Sequence, residues 1–352
     1  DKIGVKMEGC WACAVRCKKV VQADGKYKVD PDYGGPEYET IGSLGSTCGV
    51  SDAVAVSRAN ELCNAYSLDT IGAGVTIAFA MECFENGLLT LEDTDGIDLR
   101  FGNGDAVIQM VHKIARREGL GDLLAEGSKR AAERIGGDAW QYAIQVKGQE
   151  YPMHEPRLKR GLAIGYAVSP TGADHIHSLH DVYLMNTEVS GFPRDSTSRS
   201  MGVLEAMPLE SLGPDKVRAF AYNTINKVSR NCLTLCGFVS WTDAERMALI
   251  EAGTGWRVNA FEYFKLGERA LTLARIYNLR EGLTAADDRL ALRSYGPTTG
   301  GALAEGGIDS EELEEAVYTY YGIMGWDEGT GVPTLGKLKE LGIEWAAEHL
   351  PE

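Results

Sequence analysis

Positive charge is scarce in this chain: 35 lysines and arginines face 51 aspartates and glutamates, for a formal net charge of −16. Gripping nucleic-acid phosphates requires a basic surface that releases counterions, so this balance excludes a nucleic-acid partner. Long hydrophobic runs are lacking too. The longest largely apolar run, Val75 to Phe84, is too short to cross a bilayer, and no charged-then-apolar leader precedes the first cysteine. The expectation is a cytoplasmic protein without a membrane anchor. Eight cysteines among 352 residues are too few for a secreted disulfide scaffold. There is no internal repeat, no low-complexity tract and no Gly-rich phosphate loop, which removes the usual dinucleotide and nucleotide sites.

What is present is the balance of an ordinary globular protein, 44% hydrophobic and 24% charged, with a length that suggests two domains. A Gly/Pro/Tyr-rich stretch, Lys28 to Gly45, reads as loop and short strand. Helical patterns then dominate. Asp52 to Ala65 opens on Ser51 or Asp52 as a cap, Val75 to Asn86 is almost wholly apolar, Asp105 to Glu118 is amphipathic, and Gly121 to Ile135 alternates in charge. Mixed short strands and loops follow between Ala143 and Ser178, and helical patterns resume at Pro214 to Arg230, Thr242 to Ala252, Ala260 to Arg280, Ser310 to Gly322 and Thr334 to Leu350. The chain therefore reads as mainly α, with two helical domains, residues 1–145 and 146–352.

The strongest chemical signal is Cys10, Cys13 and Cys17, in Gly9-Cys10-Trp11-Ala12-Cys13-Ala14-Val15-Arg16-Cys17. On a helix, steps of three and four bring the three thiols within roughly 60° of one face, so they read as three corners of an iron–sulfur cluster. A cubane needs a fourth thiolate, and Cys232 and Cys236 are both candidates. Lys6, Arg16, Lys18 and Lys19 around the triplet form either a docking patch for an electron carrier or a solvated face. Cys63 and Cys83 fall inside apolar helical patterns and read as small core residues, while Cys48 sits in a loop. A chain whose first ligand cysteine is residue 10 leads us to expect further sequence upstream.

Four short strings carry the remaining chemistry. In Gly35-Pro36-Glu37-Tyr38-Glu39-Thr40, an extended backbone puts Glu37 and Glu39 on one face, where a carboxylate can act as a general base, although two glutamates in a polar loop also suit a plain surface. Asn64-Ala65-Tyr66-Ser67-Leu68-Asp69 lies where one helix ends, before the Gly-rich turn Ile71-Gly72-Ala73-Gly74, and helix capping explains its polar residues. Asn231-Cys232-Leu233-Thr234-Leu235-Cys236 repeats that layout in the second half. Two such copies suit gripping a polar heterocycle from opposite sides. Gly172-Ala173-Asp174-His175-Ile176-His177-Ser178-Leu179-His180-Asp181 holds half of the six histidines. It offers zinc ligands for a hydrolase, or a proton donor beside a redox cofactor, or a polar loop.

Together with further runs, these strings resemble the tungsten-dependent aldehyde:ferredoxin oxidoreductase family, in its second and third domains. The runs include Asn60-Glu61-Leu62-Cys63-Asn64, Thr76 to Glu82, Pro156-Arg157, Ala167 to Gly172, Tyr277 to Gly282 and Tyr321 to Asp327. The resemblance covers essentially the whole chain. It implies two helical domains covering a tungsten (or molybdenum) bis-pterin cofactor, with a β-rich first domain absent from this chain. It implies a [4Fe–4S] cluster on Cys10, Cys13, Cys17 and Cys236, pterin contacts at Asn64, Leu68 and Asp69 and at Asn231, Leu235 and Cys236, and Glu39 and His175 nearest the metal. The family's pterin motifs normally carry Asp and Gly where this chain has Asn64 and Ser67, and Asn231 and Thr234. An amide still accepts a hydrogen bond from a pterin N–H but loses the charge-assisted part. The implied activity is oxidation of a small aldehyde to a carboxylic acid with electrons passed to ferredoxin, by an enzyme completed by an N-terminal domain or separate chain and able to form a homodimer. The family's Glu-x-x-His pair, which holds an iron at the dimer interface in some members, is not found, so that iron is not expected. The alternatives are the tungsten subunit of an aromatic acyl-CoA ring reductase, and an iron–sulfur electron-transfer or assembly subunit without its own catalysis.

Overall fold

The first long helices start where the sequence offers a capping side chain. Asp52 accepts from Val54 N and Ala55 N to open α1 (Ala53–Tyr66), Asp69 accepts from Gly72 N to open α2 (Thr70–Glu85), and Asn103 accepts from Ala106 N to open α3 (Gly104–Arg116). These elements belong to a computed structural model that describes residues 2–185, 202–304 and 306–351. The chain divides into two compact units, Asp1–His154 with Ala291–Arg293, and Glu155–Leu290 with Ser294–Glu352.

In the first unit, α2 is nearly all apolar, with Ile77, Phe79, Ala80 and Met81 completely or almost completely buried. Met110 and Val111 of α3 join the same core. The expected turn at Ile71–Gly74 is instead the first turn of α2. Glycine there serves packing rather than turning: a Cβ on Gly74 would lie 2.6 Å from the Ser43 carbonyl carbon. The expected helix from Gly121 to Ile135 is broken into α4 (Leu120–Leu124) and α5 (Gly127–Ile135), because Gly127 adopts a φ of +84°. Buried Glu150 ties α5 to α2, since its Oε1 accepts from Ser128 N (2.7 Å), Ser128 Oγ (2.9 Å) and Thr76 Oγ1 (3.3 Å).

Two small hairpins complete the unit. β1 (Gly4–Glu8) pairs antiparallel with β2 (Lys18–Val21), in the register Lys6 opposite Val20 and Glu8 opposite Lys18. β3 (Gln145–Val146) pairs with β4 (Gln149–Glu150) through Lys147 and Gly148, both at positive φ, as a tight hairpin turn requires.

The second unit is built on α6 (Arg160–Val168), α7 (Pro214–Cys232), α8 (Asp243–Thr254), α9 (Ala260–Arg280), α10 (Ser310–Met324) and α11 (Leu335–Glu340). α7 and α9 cross at Gly267, whose N–H donates to Ser229 Oγ at 3.0 Å; a Cβ there would meet the Ile225 carbonyl oxygen at 2.2 Å. Buried Arg275 holds the C-terminal segment, donating to Gly331 O (3.0 Å) and Asp288 Oδ2 (2.7 Å) beneath the rings of Tyr321 and Trp326. The single helix expected at Thr334 to Leu350 is α11 followed by a 3₁₀ segment, Glu344–His349, which packs Leu338, Leu341 and Ile343 on Ile276. The mainly α expectation holds.

Candidate functional site

Cys10, Cys13 and Cys17 do not lie on a helix. They occupy the loop that joins β1 to β2, and the helical reading fails because the flanking segments pair as strands and Ala12 (φ 56°) and Arg16 (φ 49°) take left-handed backbone. The loop is ordered by its own bonds: Cys13 N donates to Cys10 O at 3.0 Å, and Arg16 Nη2 donates to Met7 O at 3.0 Å. Gly9 lets the loop close tightly, since a Cβ there would meet Arg16 Cα and Cys13 O at 3.1 Å. Cys10 and Cys17 are exposed, and Trp11 stands 97% exposed between them. In contrast, burial pushes the thiols of Cys48, Cys63 and Cys83 up to about 12, with the charges of Asp69 and Glu82 adding to the effect at Cys63 and Cys83. Cys48 is fixed as a donor to Ser43 O and Gly74 O. These three are core residues.

The cysteine hairpin continues directly into the glutamate string. Gly35 N donates to Lys19 O of β2 at 2.8 Å, and Lys19 Nζ reaches Pro36 O at 3.3 Å. Beyond Pro36 the chain is not extended as expected. Tyr38–Thr40 forms a helical turn that runs into a π-helical stretch, Ile41–Thr47, so Glu37 and Glu39 do not share a face. Glu37 remains outside, 3.8 Å from Lys19, whereas Glu39 turns inward. Its Oε2 accepts from Met153 N at 2.6 Å and its Oε1 lies 3.1 Å from His154 Nε2. Tyr38 completes this clamp by donating to Met153 O at 2.9 Å and stacking on the His154 ring. Thr40 and Thr70 share a 2.9 Å hydroxyl contact, and Ser43 Oγ donates to Thr70 O, which fastens the irregular helix to α2. His154 was not singled out from sequence. Its available signal was a lone histidine between Pro152 and Pro156 in a chain with six histidines.

Asn64, Leu68 and Asp69 sit where α1 passes into α2. Ser67 is the left-handed C-cap of α1 at φ 56°, with Ser67 N bonded to Asn64 O and Leu68 N to Cys63 O. Asn64 Nδ2 donates to Tyr33 O at 3.0 Å, Leu68 packs on the core, and exposed Asp69 caps α2. In the second unit, Asn231, Leu235 and Cys236 follow the same backbone course. Thr234 also has φ 56°, Thr234 N is bonded to Asn231 O and Leu235 N to Arg230 O. The repeated layout is thus a repeated helix stop, with each string's amide in the last helical turn and its final residue beyond the cap. Exposed Cys236 precedes Gly237, against which the Arg230 guanidinium lies. Cys232 is the last residue of α7, and burial raises its thiol.

The histidine loop of the second unit is pinned to two helices. Asp181, fully buried, accepts from Gly161 N (2.9 Å) and Leu162 N (3.3 Å) at the start of α6, and pairs at 2.5 Å with fully buried Lys216 of α7. His177 bridges Asp174 Oδ2 (3.3 Å) and Ser169 Oγ (3.2 Å). Burial pushes the Asp174 carboxyl up, but the bond and charge of His177 and the Ile176 amide outweigh it and hold the group down at about 2. His180 Nε2 meets His175 O at 3.1 Å, and its ring packs edge-on to that of His175. Asp174, His177 and Asp181 are thereby engaged within the fold. The partly exposed His175 is carried on a loop held from both sides.

Residues 1–343 match the family model described as aldehyde ferredoxin oxidoreductase, domains 2 and 3. Among curated relatives, the tungsten-containing aldehyde ferredoxin oxidoreductase of Pyrococcus abyssi is 33% identical over 97% of this chain and 53% of its own length, and that of Pyrococcus horikoshii matches in the same proportions. The aliphatic sulfonate oxidoreductase, WOR-like subunit, of Pyrococcus furiosus is 29% identical over 95% of this chain and 50% of its own. The chain thus spans about half the length of these relatives. A solved structure, the active site complex BamBC of benzoyl coenzyme A reductase with 1,5-dienoyl-CoA, shares the fold with a TM-score of 0.71 at 20% identity, over 99% of this chain and 54% of that one. No described helix is long and apolar enough to cross a membrane. With the two helix stops, the cysteine hairpin and the clamped glutamate in view, the family match over nearly its full length makes this chain a member of the aldehyde ferredoxin oxidoreductase family, in the part formed by domains 2 and 3.

Proposed function

We propose that the chain is the cofactor-covering part of an enzyme that oxidises an aldehyde to a carboxylic acid at a tungsten or molybdenum bis-pterin centre and passes the electrons through a [4Fe–4S] cluster to ferredoxin. Cys10, Cys13, Cys17 and Cys236 would hold the cluster. The donor set fits that group, because these thiols stand on loops, whereas Cys48, Cys63 and Cys83 are buried and poor thiolates. Asn64, Leu68, Asp69, Asn231, Leu235 and Cys236 would contact the pterins, Asn64 and Asn231 being exposed in the last turns of their helices and Asp69 and Cys236 exposed just beyond the two helix stops. When bound, the metal centre and cluster supply the redox chemistry, and the protein supplies position and electrostatics. Half-length coverage of the relatives supports a further domain or chain that completes the pterin site.

An aldehyde and one water become a carboxylic acid, two electrons and two protons. Glu39 takes a proton from that water, and the Met153 amide and His154 keep its carboxylate from swinging away. His154 also gives that proton a second acceptor 3.1 Å from Glu39 Oε1. His175 donates to the carbonyl oxygen of the substrate, from a loop fixed by the buried Lys216–Asp181 pair.

The observation that carries this reading is the inward carboxylate of Glu39, gripped from two sides. Glu39→Gln is expected to lower aldehyde-dependent dye reduction by about 100-fold or more with tungsten (or molybdenum) and iron content unchanged. Turnover near that of the parent enzyme overturns the assignment. Iron without tungsten or molybdenum in the pure protein replaces the enzyme reading with an electron-transfer subunit. Reduction of an aromatic acyl-CoA without aldehyde oxidation moves the chain to the ring-reductase branch.

A further inference from the structure

A cavity of about 710 Å³ lies within the second unit, between the end of α7, helices α8 and α9, and Glu340 of α11. Its wall is mainly aliphatic and aromatic, with Leu233, Leu249, Ile250, Phe261 and Leu266 among the lining residues, and its size falls in the roughly 300–1,000 Å³ range of small-molecule sites. Four charged side chains reach it, and three of them are engaged by the protein, two in ion pairs and Glu262 by a backbone amide. Glu262 closes the capping box of α9 on Asn259 N at 3.0 Å, and Lys265 pairs with Glu340 at 2.5 Å, Glu340 pairing in turn with Lys337. Arg269 differs. Its Nε donates to Leu341 O at 2.9 Å, and among the described residues no carboxylate lies within ion-pair distance of its guanidinium.

A half-buried guanidinium beside an apolar wall retains donors suited to a planar anion, and the wall suits a hydrocarbon tail. We propose that this cavity binds an amphipathic monocarboxylate, with the carboxylate on Arg269 and the aliphatic chain along Leu249, Ile250 and Phe261. The inference needs neither the metal centre nor turnover, so it stands or falls separately from the proposed oxidation.

The test is calorimetric titration of the whole purified chain with octanoate and, in parallel, with octanol, which has the same tail and no charge. Octanoate is expected to bind at least tenfold more tightly than octanol. Arg269→Gln should remove that difference while octanol binding persists, which also reports that the variant is folded. Equal affinity for the two ligands in the parent protein, or an unchanged preference in the variant, overturns the proposal. Leu249→Trp, which fills the wall, should weaken both ligands at least tenfold, and unaltered binding there would place the ligand elsewhere.

Discussion

Ser67, the C-cap of α1, and Thr234, one residue past the C-cap of α7, both take left-handed backbone at φ 56°, positions where a Cβ crowds the neighbouring carbonyl. That crowding costs an L-residue about 1–2 kcal/mol, and a β-branched residue such as threonine lies at the unfavourable end. Glycine relieves it but brings about 0.5–1 kcal/mol of extra unfolded-state entropy. Thr234→Gly is therefore expected to stabilise the second unit by about 1 kcal/mol and Ser67→Gly the first by about 0.5 kcal/mol. The sites lie in different compact units, so the effects should add. For units of this size the melting temperature should rise by about 2–4 °C for Thr234→Gly, followed by circular dichroism. Thr234→Ala is the control, because it removes the hydroxyl bond to Leu233 O without relieving the backbone. An equal rise for alanine and glycine, or a fall for glycine, refutes the conformational account.

Gly267→Ala should destabilise the second unit by about 2 kcal/mol, since overpacking against the Ile225 carbonyl outweighs a helix-propensity gain of about 1 kcal/mol; urea unfolding that is unchanged or shifted up would contradict the close crossing. Asp174, held down at about 2 from 3.8, should contribute about 2 kcal/mol at neutral pH. A depressed carboxyl gives that stability above its unfolded pKa and loses it as pH falls through the folded one, so the stability gap to Asp174→Asn should shrink from about pH 5 to pH 2; a constant gap in urea titrations refutes the pairing. Cys13→Ser should abolish the broad visible absorbance of the proposed cluster and electron transfer to dyes, and retention of both rules out the cluster assignment.

Helices with strong local punctuation were legible in the sequence. α9 runs over Ala260–Arg280 as expected because Asn259 and Glu262 close a capping box, and α1 starts at Asp52 for the same kind of reason. The start of α2 was misread because Gly72 and Gly74 resemble a turn until Ser43 is seen packed on Gly74. The cysteine hairpin was missed for two reasons: β1 is exposed along its length, so no alternation marks it, and the three-and-four spacing coincides with a helical period. At the candidate site, Glu39 and His175 were legible as residue types in short strings. The partner of Glu39 was not, because His154 lies 115 positions away and no local pattern encodes a contact of that separation.

The π-helical stretch after Glu39 has a consequence for insertions and deletions. Such a stretch holds one residue more than an α-helix of equal span, and here its widened coil is fastened to α2 through Ser43, Thr70 and Gly74. Removing one residue within Ile41–Thr47 would let the segment relax into ordinary helix and remain folded, yet everything upstream would rotate by about 100°. Glu39 would then point away from Met153 and His154, so a loss of one codon in this stretch would disarm the carboxylate and break the Thr40–Thr70 and Asn64–Tyr33 contacts with it.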